Sequence, residues 1–210
     1  LMSAGRQIAA TSFDGSGFLG REISAVGVSV TASSGEIHTV FVFPIGPISL
    51  EYDERSWDWR LNVTDFVAVA AFALASNTEF DLHKTLSSGA PVFRDKRASF
   101  YRFGDFEATG VTGLGTIRVS RAAFTALAGN GNVIYHENVH ILQDDFFEEA
   151  IALPPEREAI ERLPFGRRFL RHFDLGLLGP GLESGMSRLI PYRSRPWERE
   201  AYALTANLFY

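Results

Sequence analysis

Two imidazoles and a carboxylate stand together in His136-Glu137-Asn138-Val139-His140, an HExxH run. On a helix, residues four apart share a face, so His136 and His140 can present two ring nitrogens to one ion. Glu137 follows the first of them and comes beside the ion without having to bind it. A general base that takes a proton from a metal-activated water belongs there. The spacing predicts a zinc hydrolase, on two conditions: the run lies on a helix, and a third ligand exists. Catalytic zinc usually has three protein ligands and one open position, so the third must come from a separate element. The segment Pro196-Trp197-Glu198-Arg199-Glu200-Ala201-Tyr202 offers two carboxylates. Two residues apart, they point about 200° from each other around a helix, and only one can face the metal. A packing stripe of Trp197, Ala201, Leu204 and Leu208 on that helix singles out neither.

The elements that must hold these residues can be read from local signals. Ser120 is a good N-cap for a helix over Arg121 to Ala128, with Gly129 at its C-terminal end. Asn130-Gly131-Asn132 reads as a tight turn, and Asn132 as the cap of a helix running from about Val133 to Ala150. Tyr135, Val139, Leu142, Phe146 and Ala150 form its apolar stripe, and His136, His140 and Gln143 project from a neighbouring face. Pro154-Pro155 stops that helix. Another is expected from Glu156 towards His172, interrupted around Pro164-Phe165-Gly166, followed by a glycine-rich loop from Gly176 to Gly185. Ser194 or Arg195 caps the last helix, with Pro196 in its first turn.

The N-terminal half reads as β. Trp57, Trp59, Leu61 and Val63 alternate with Asp58, Arg60, Asn62 and Thr64, the period of a strand. Ile23 to Ala32 and Glu36 to Phe43 are rich in Val, Ile, Thr and Phe and are bounded by turn residues. Ser99 to Thr109 and Thr116 to Val119 continue the pattern. Trp57 and Trp59 are expected to pack in the core, with a ligand platform or a lipid-facing girdle as the alternative. The expected class is α+β, with residues 1–110 as a β-rich portion and 111–210 as a helical portion sharing its core.

Composition bounds the rest. The chain has 210 residues, 46% hydrophobic and 21% charged, which is an ordinary folded composition. A net charge of −5 without a basic run makes nucleic acid an unfavourable partner. The absence of cysteine excludes disulfides, thiolate ligands and thiol catalysis. The longest apolar run, Phe66 to Ala75, falls far short of the roughly 20 residues a membrane helix needs.

With HExxH on one helix and a glutamate on a later one, the chain resembles the gluzincin class of zinc metallopeptidases. More narrowly, it resembles bacterial zincin domains carrying HExxHxxQ followed by an ExEA segment. The residues carrying the likeness are His136, Glu137, His140, Gln143, Glu198, Glu200 and Ala201, within Thr116 to Tyr210. The resemblance implies a Zn2+ cofactor bound by His136, His140 and Glu198, with Glu137 as catalytic base and a peptide or protein as substrate. It also implies that Thr116 to Val119 forms a sheet edge to which an extended peptide can add. The pattern places an Asp after the Ala as partner to a ligating His. This chain has Tyr202 there; either Asp144, four residues beyond His140, substitutes, or Tyr202 donates a hydrogen bond of its own.

Among the other histidines, His172 is read as structural before oxyanion-stabilising, and His38 and His83 as having no catalytic part. Tyr135, Tyr192 and Tyr202 are equivalent candidates for electrophilic help. A different class of reading remains: a non-catalytic zincin-like module for binding or envelope assembly, membrane-associated through the β-rich half, with an extracytoplasmic or envelope location.

Overall fold

Small residues spaced three and four apart shape the beginning of the chain. The computed structural model describes residues 1–32, 39–53, 56–103, 106–125, 130–147, 153–170, 172–178 and 189–206. Helices α1 (Met2–Ala9) and α2 (Ser16–Ala32) pack together at close range. A methyl on Gly20 would lie 2.5 Å from Gly5 O and 2.8 Å from Ala9 Cβ, so glycine is what permits the approach. Helix α2 replaces the strand expected over Ile23 to Ala32. Its buried Gly17, Gly20, Ser24 and Gly27 recur at helical spacing, and that face outweighs the β preference of the intervening Val and Ile.

The first sheet follows. Strands β1 (Thr39–Ile45), β2 (Ile48–Asp53) and β3 (Trp57–Asn62) run antiparallel. Trp57 and Trp59 are 59% and 42% exposed, which corrects the expectation of core packing. Register pairs them with Tyr52 and Leu50. Trp57 leans on the Tyr52 ring at 5.0 Å, and Trp59 stacks on His172 at 4.7 Å. Asn62 ends β3 and caps α3 (Val63–Leu74) by accepting from Asp65 N at 3.1 Å. This helix takes up the apolar run, and no helix among the described residues is long and apolar enough to cross a membrane.

The second sheet positions the site. Strands β4 (Thr78–Phe80) and β5 (Val92–Asp95) flank α4 (Leu82–Ser88), which Asp81 caps and Gly89 ends with φ 72°. After the small hairpin β6 (Tyr101–Phe103) and β7 (Phe106–Ala108) come β8 (Gly110–Gly113) and β9 (Thr116–Val119). Leu114 and Gly115 join β8 to β9 with φ 52° and 62°, the two positive angles of a type I′ turn. The order is β4-β5-β9-β8, so β9 is bonded on both sides and, among the described residues, β8 is the edge. The edge role expected of Thr116 to Val119 therefore falls to Gly110–Gly113. Every second residue of β9 is needed for the interior, where Ile117 and Val119 are fully buried.

Helix α5 (Arg121–Thr125) leads to α6 (Asn130–Phe147), which carries the HExxH run. Asn130-Gly131-Asn132, expected as a turn, is its first turn. The C-terminal bounds expected for these two helices, and Ala150, lie outside the described residues. Ile134, Ile141 and Leu142 of α6 pack on Val92, Ile117 and Val119, with Ala9 of α1 in the same cluster. Side chains of this size contribute about 1.5–3 kcal/mol each when fully buried. On another face, Val139 packs with Ala10 and with Ala201 and Leu204 of the last helix. The chain continues through α7 (Leu153–Glu161), α8 (Gly166–Phe169) and β10 (Phe173–Asp174), which pairs parallel to β3. A 3-10 turn at Tyr192–Ser194 precedes α9 (Pro196–Thr205), which has Arg195 at its N-cap and Pro196 in its first turn.

Glu22 of α2 is 8% exposed, and neither carboxyl oxygen has a hydrogen-bond partner among the described residues. Neighbouring Arg21 gives its Nε and Nη2 to Asp145, at 2.7 and 2.9 Å, and its Nη1 to Gly89 O. Burial pushes Glu22 up to about 8, more than Arg21 pulls it down. The folded chain thus holds a proton that the unfolded chain releases near pH 4.5, and stability must fall as pH rises towards 8. Between pH 6.5 and 8.5 wild type should lose about 2 kcal/mol through this group, and Glu22→Gln should not. Urea denaturation of both at the two pH values checks this; parallel losses would refute it.

Candidate metal centre

Helix α6 brings His136, Glu137, His140 and Gln143 to one side, and α9 brings Glu198 across from them. His136, His140 and Glu198 are 6%, 8% and 5% exposed, and one donor atom from each lies within 4.8 Å of the others. Among the described residues this is the one group of histidines and carboxylates placed to hold a metal ion. His140 Nε2 is 3.2 Å from His136 Nε2 and 3.3 Å from Glu198 Oε2, and His136 Nε2 is 3.7 Å from that same oxygen. Glu200, on the other side of α9, is turned away. Its Oε1 accepts from Arg6 Nε and its Oε2 from Gln143 Nε2, both at 2.9 Å.

The outer nitrogens of the two rings show what the inner ones carry. Thr205 donates its hydroxyl hydrogen to Ala201 O at 2.7 Å, leaving its oxygen to accept from His136 Nδ1 at 3.3 Å. His140 Nδ1 faces Gln143 Oε1, an acceptor, at 2.8 Å. Both neutral rings therefore keep the hydrogen on Nδ1 and turn the Nε2 lone pair inward. With both rings neutral, buried Glu198 Oε2 finds no hydrogen-bond donor among the described residues. Three lone pairs thus converge in a buried space with no hydrogen among them, and a cation is what satisfies such a set. Without one, a proton is drawn in. Burial opposes charge on His140, yet the Glu198 hydrogen bond and the charges of Glu137, Glu198 and Asp144 raise it to about 9. Burial also opposes ionised Glu198, but hydrogen bonds from the two histidines and Tyr192 hold it down at about 2.

Glu137 is 5% exposed and lies beside this cluster without joining it. Thr112 of edge strand β8 donates to Glu137 Oε2 at 2.7 Å. A Cβ on Gly110 would sit 2.5 Å from Val133 Cγ1 and 2.8 Å from Glu137 Oε1, so the strand reaches the helix only because this residue is glycine. A cleft runs along β8 on both sides of Glu137. One end is lined by His140, Asp144, Tyr192, Arg195, Trp197 and Glu198, the other by Glu107, Val133, His136, Tyr192 and Tyr202.

The remaining sequence candidates fall into place by distance. Tyr192 lines both ends of the cleft and hydrogen-bonds Glu198, and burial raises its pKa. Tyr202 packs its ring on His136 at 4.6 Å, while Tyr135 donates to Ser12 O away from the cluster. His172 stacks on Trp59 and faces Asp58 at 3.2 Å, in the first sheet. His83 lies near Asp14, and His38 is outside the described residues. The partner of His140 Nδ1 is Gln143; Asp144 lines the cleft instead. Thr205 and Arg6 were not anticipated. Glu198, Ala201 and Thr205 sit at i, i+3 and i+7, a helical seam that could have signalled Thr205. No sequence signal links Arg6 to the site. Compared with protein-family models, curated proteins and solved structures, the chain has no match, and the arrangement of its own side chains carries the functional argument.

Proposed function

We propose that the chain is a zinc-dependent metallopeptidase of gluzincin type. The observation that carries this reading is the convergence of three buried, hydrogen-free donor atoms from His136, His140 and Glu198 beside a second carboxylate, Glu137, that lies outside the cluster. Two imidazoles and one carboxylate, with no thiolate in the chain, form a donor set that suits zinc and leaves a position open. When bound, zinc supplies Lewis acidity that makes a water molecule acidic near neutral pH and polarises a carbonyl.

The chain's own residues do the rest. Glu137 takes a proton from the attacking water and passes it to the leaving amine. Thr112 holds Glu137 Oε2, which aims the carboxylate and fixes its rotamer. The free side of β8 offers backbone N–H and C=O groups to an extended peptide, which would pair as a further strand and lie along the cleft. The test is metal analysis of protein purified without added zinc, together with peptide hydrolysis before and after chelation. Stoichiometric zinc and chelator-sensitive hydrolysis are expected; a metal-free protein, or hydrolysis indifferent to the chelator, would sink the proposal.

A second reading is association with a membrane surface through the β-rich half. It is favoured by the exposure of Trp57, Trp59, Ile48 and Leu50 on β2 and β3. A blue shift of tryptophan emission on adding phospholipid vesicles supports it, and an unchanged spectrum removes it.

A further inference from the structure

The Gln143 side chain has two chemically unlike ends, and its neighbours fix which way round it sits. Its nitrogen lies 3.1 Å from Trp197 O and 2.9 Å from Glu200 Oε2, and both of those atoms only accept. Reversing the amide would set its oxygen against a carbonyl and a carboxylate. The oxygen end is thereby held towards His140 Nδ1, 2.8 Å away, and an oxygen there requires that Nδ1 carry the hydrogen. Glu200 is fixed in turn by Arg6 of α1, whose Nε meets Oε1 at 2.9 Å.

We infer that Glu200 and Arg6 are positioning residues of the metal centre. They act through Gln143 to keep His140 in the tautomer that offers Nε2 to the ion. The inference rests on the metal-site reading above and assigns work to residues that touch neither metal nor substrate. Glu200 stands two residues from a ligand yet acts from the opposite side of α9. Arg6 brings the N-terminal helix into the control of a site built 130 residues later.

The arrangement also says what substitution does. In Glu200→Gln the new amide turns its oxygen to Arg6 and its nitrogen to Gln143. Gln143 then faces a donor at position 200 and is held by Trp197 O alone, so its amide is no longer fixed against His140 Nδ1 and the wrong tautomer gains weight. Adding Gln143→Glu restores an acceptor for His140, because a carboxylate accepts from both the ring and Gln at 200.

The experiment is zinc affinity by competition with a chromophoric chelator, with the His140 ring N–H followed by NMR in zinc-loaded protein. Glu200→Gln should weaken zinc by about 10-fold, the scale of an outer partner to a ligating histidine, and should speed exchange of the Nδ1 hydrogen. The double variant Gln143→Glu/Glu200→Gln should recover both, which a packing role for Glu200 does not predict. Arg6→Met should give a smaller loss, about 3-fold. Unchanged affinity and exchange in Glu200→Gln would overturn the inference, as would a double variant no better than the single one. If Glu200→Gln does not fold, an unchanged Arg6→Met overturns it. Wild type that binds no zinc overturns the metal reading itself, whereas wild type and Glu200→Gln binding equally well overturn the relay alone.

Discussion

Glu137→Gln should retain its metal and lose peptide hydrolysis by about 10²- to 10⁴-fold, the share usually carried by a positioned acid–base group. The amide has the shape of the carboxylate, and its oxygen can still accept from Thr112, now 2.7 Å from Glu137 Oε2. The side chain is nearly sealed from water, so the substitution also removes a buried charge and should not unfold the chain. What it removes is a lone pair basic enough to accept a proton from water. Initial rates on a quenched fluorescent peptide, with metal content measured on the same samples, decide the matter. Hydrolysis that survives would show that Glu137 is not the base, and lost metal would show that it helps to hold the ion.

Glu198→Ala should instead abolish metal retention. An outer partner of a ligand costs about 10- to 100-fold in affinity, and losing an inner carboxylate should cost more. Here the alanine would leave two Nε2 atoms 3.2 Å apart with no carboxylate completing the donor set. Two neutral donors supply no charge to offset the desolvation of a dication in a buried pocket. Equilibrium dialysis against zinc separates Glu198→Ala from Glu200→Gln: the first should bind at least tenfold more weakly than the second. A reversed order would mean that Glu200 is the ligand and that the facing of α9 is wrong.

The contrast between these two glutamates shows where the sequence was sufficient and where it stopped. Helical period alone separates residues 198 and 200 to opposite sides of α9, but it cannot say which side meets α6. That is decided by Ala201 and Leu204 packing on Val139, which turns Glu198 inward. The HExxH helix, the Pro196 start and the placement of Gln143 beside His140 were legible, because each depends on neighbours within a few residues. Ile23 to Ala32 is helical rather than a strand because Gly17, Gly20, Ser24 and Gly27 form a packed helical face that outweighs the β preference of its Val and Ile. The edge strand was displaced by one hairpin arm, since register and sheet order depend on partners far away in sequence. Arg6 lay beyond any local signal, paired across 194 positions. The family likeness, confined to Thr116 to Tyr210, could not include Gly110 or Thr112, which hold Glu137 in place.

The spread of the centre along the chain has a consequence for the order of events in folding. Two donors lie within one turn of α6, but the third waits on α9, 58 residues beyond His140. A chain that has formed α6 alone offers a metal ion two imidazoles, a weak and exchangeable grip. Firm capture requires the last helix to dock, a non-local closure of the kind that slows folding. Zinc uptake should therefore report the final consolidation of the molecule: mixed with refolding chain, a zinc indicator would register the metal disappearing with the slowest phase and not before it.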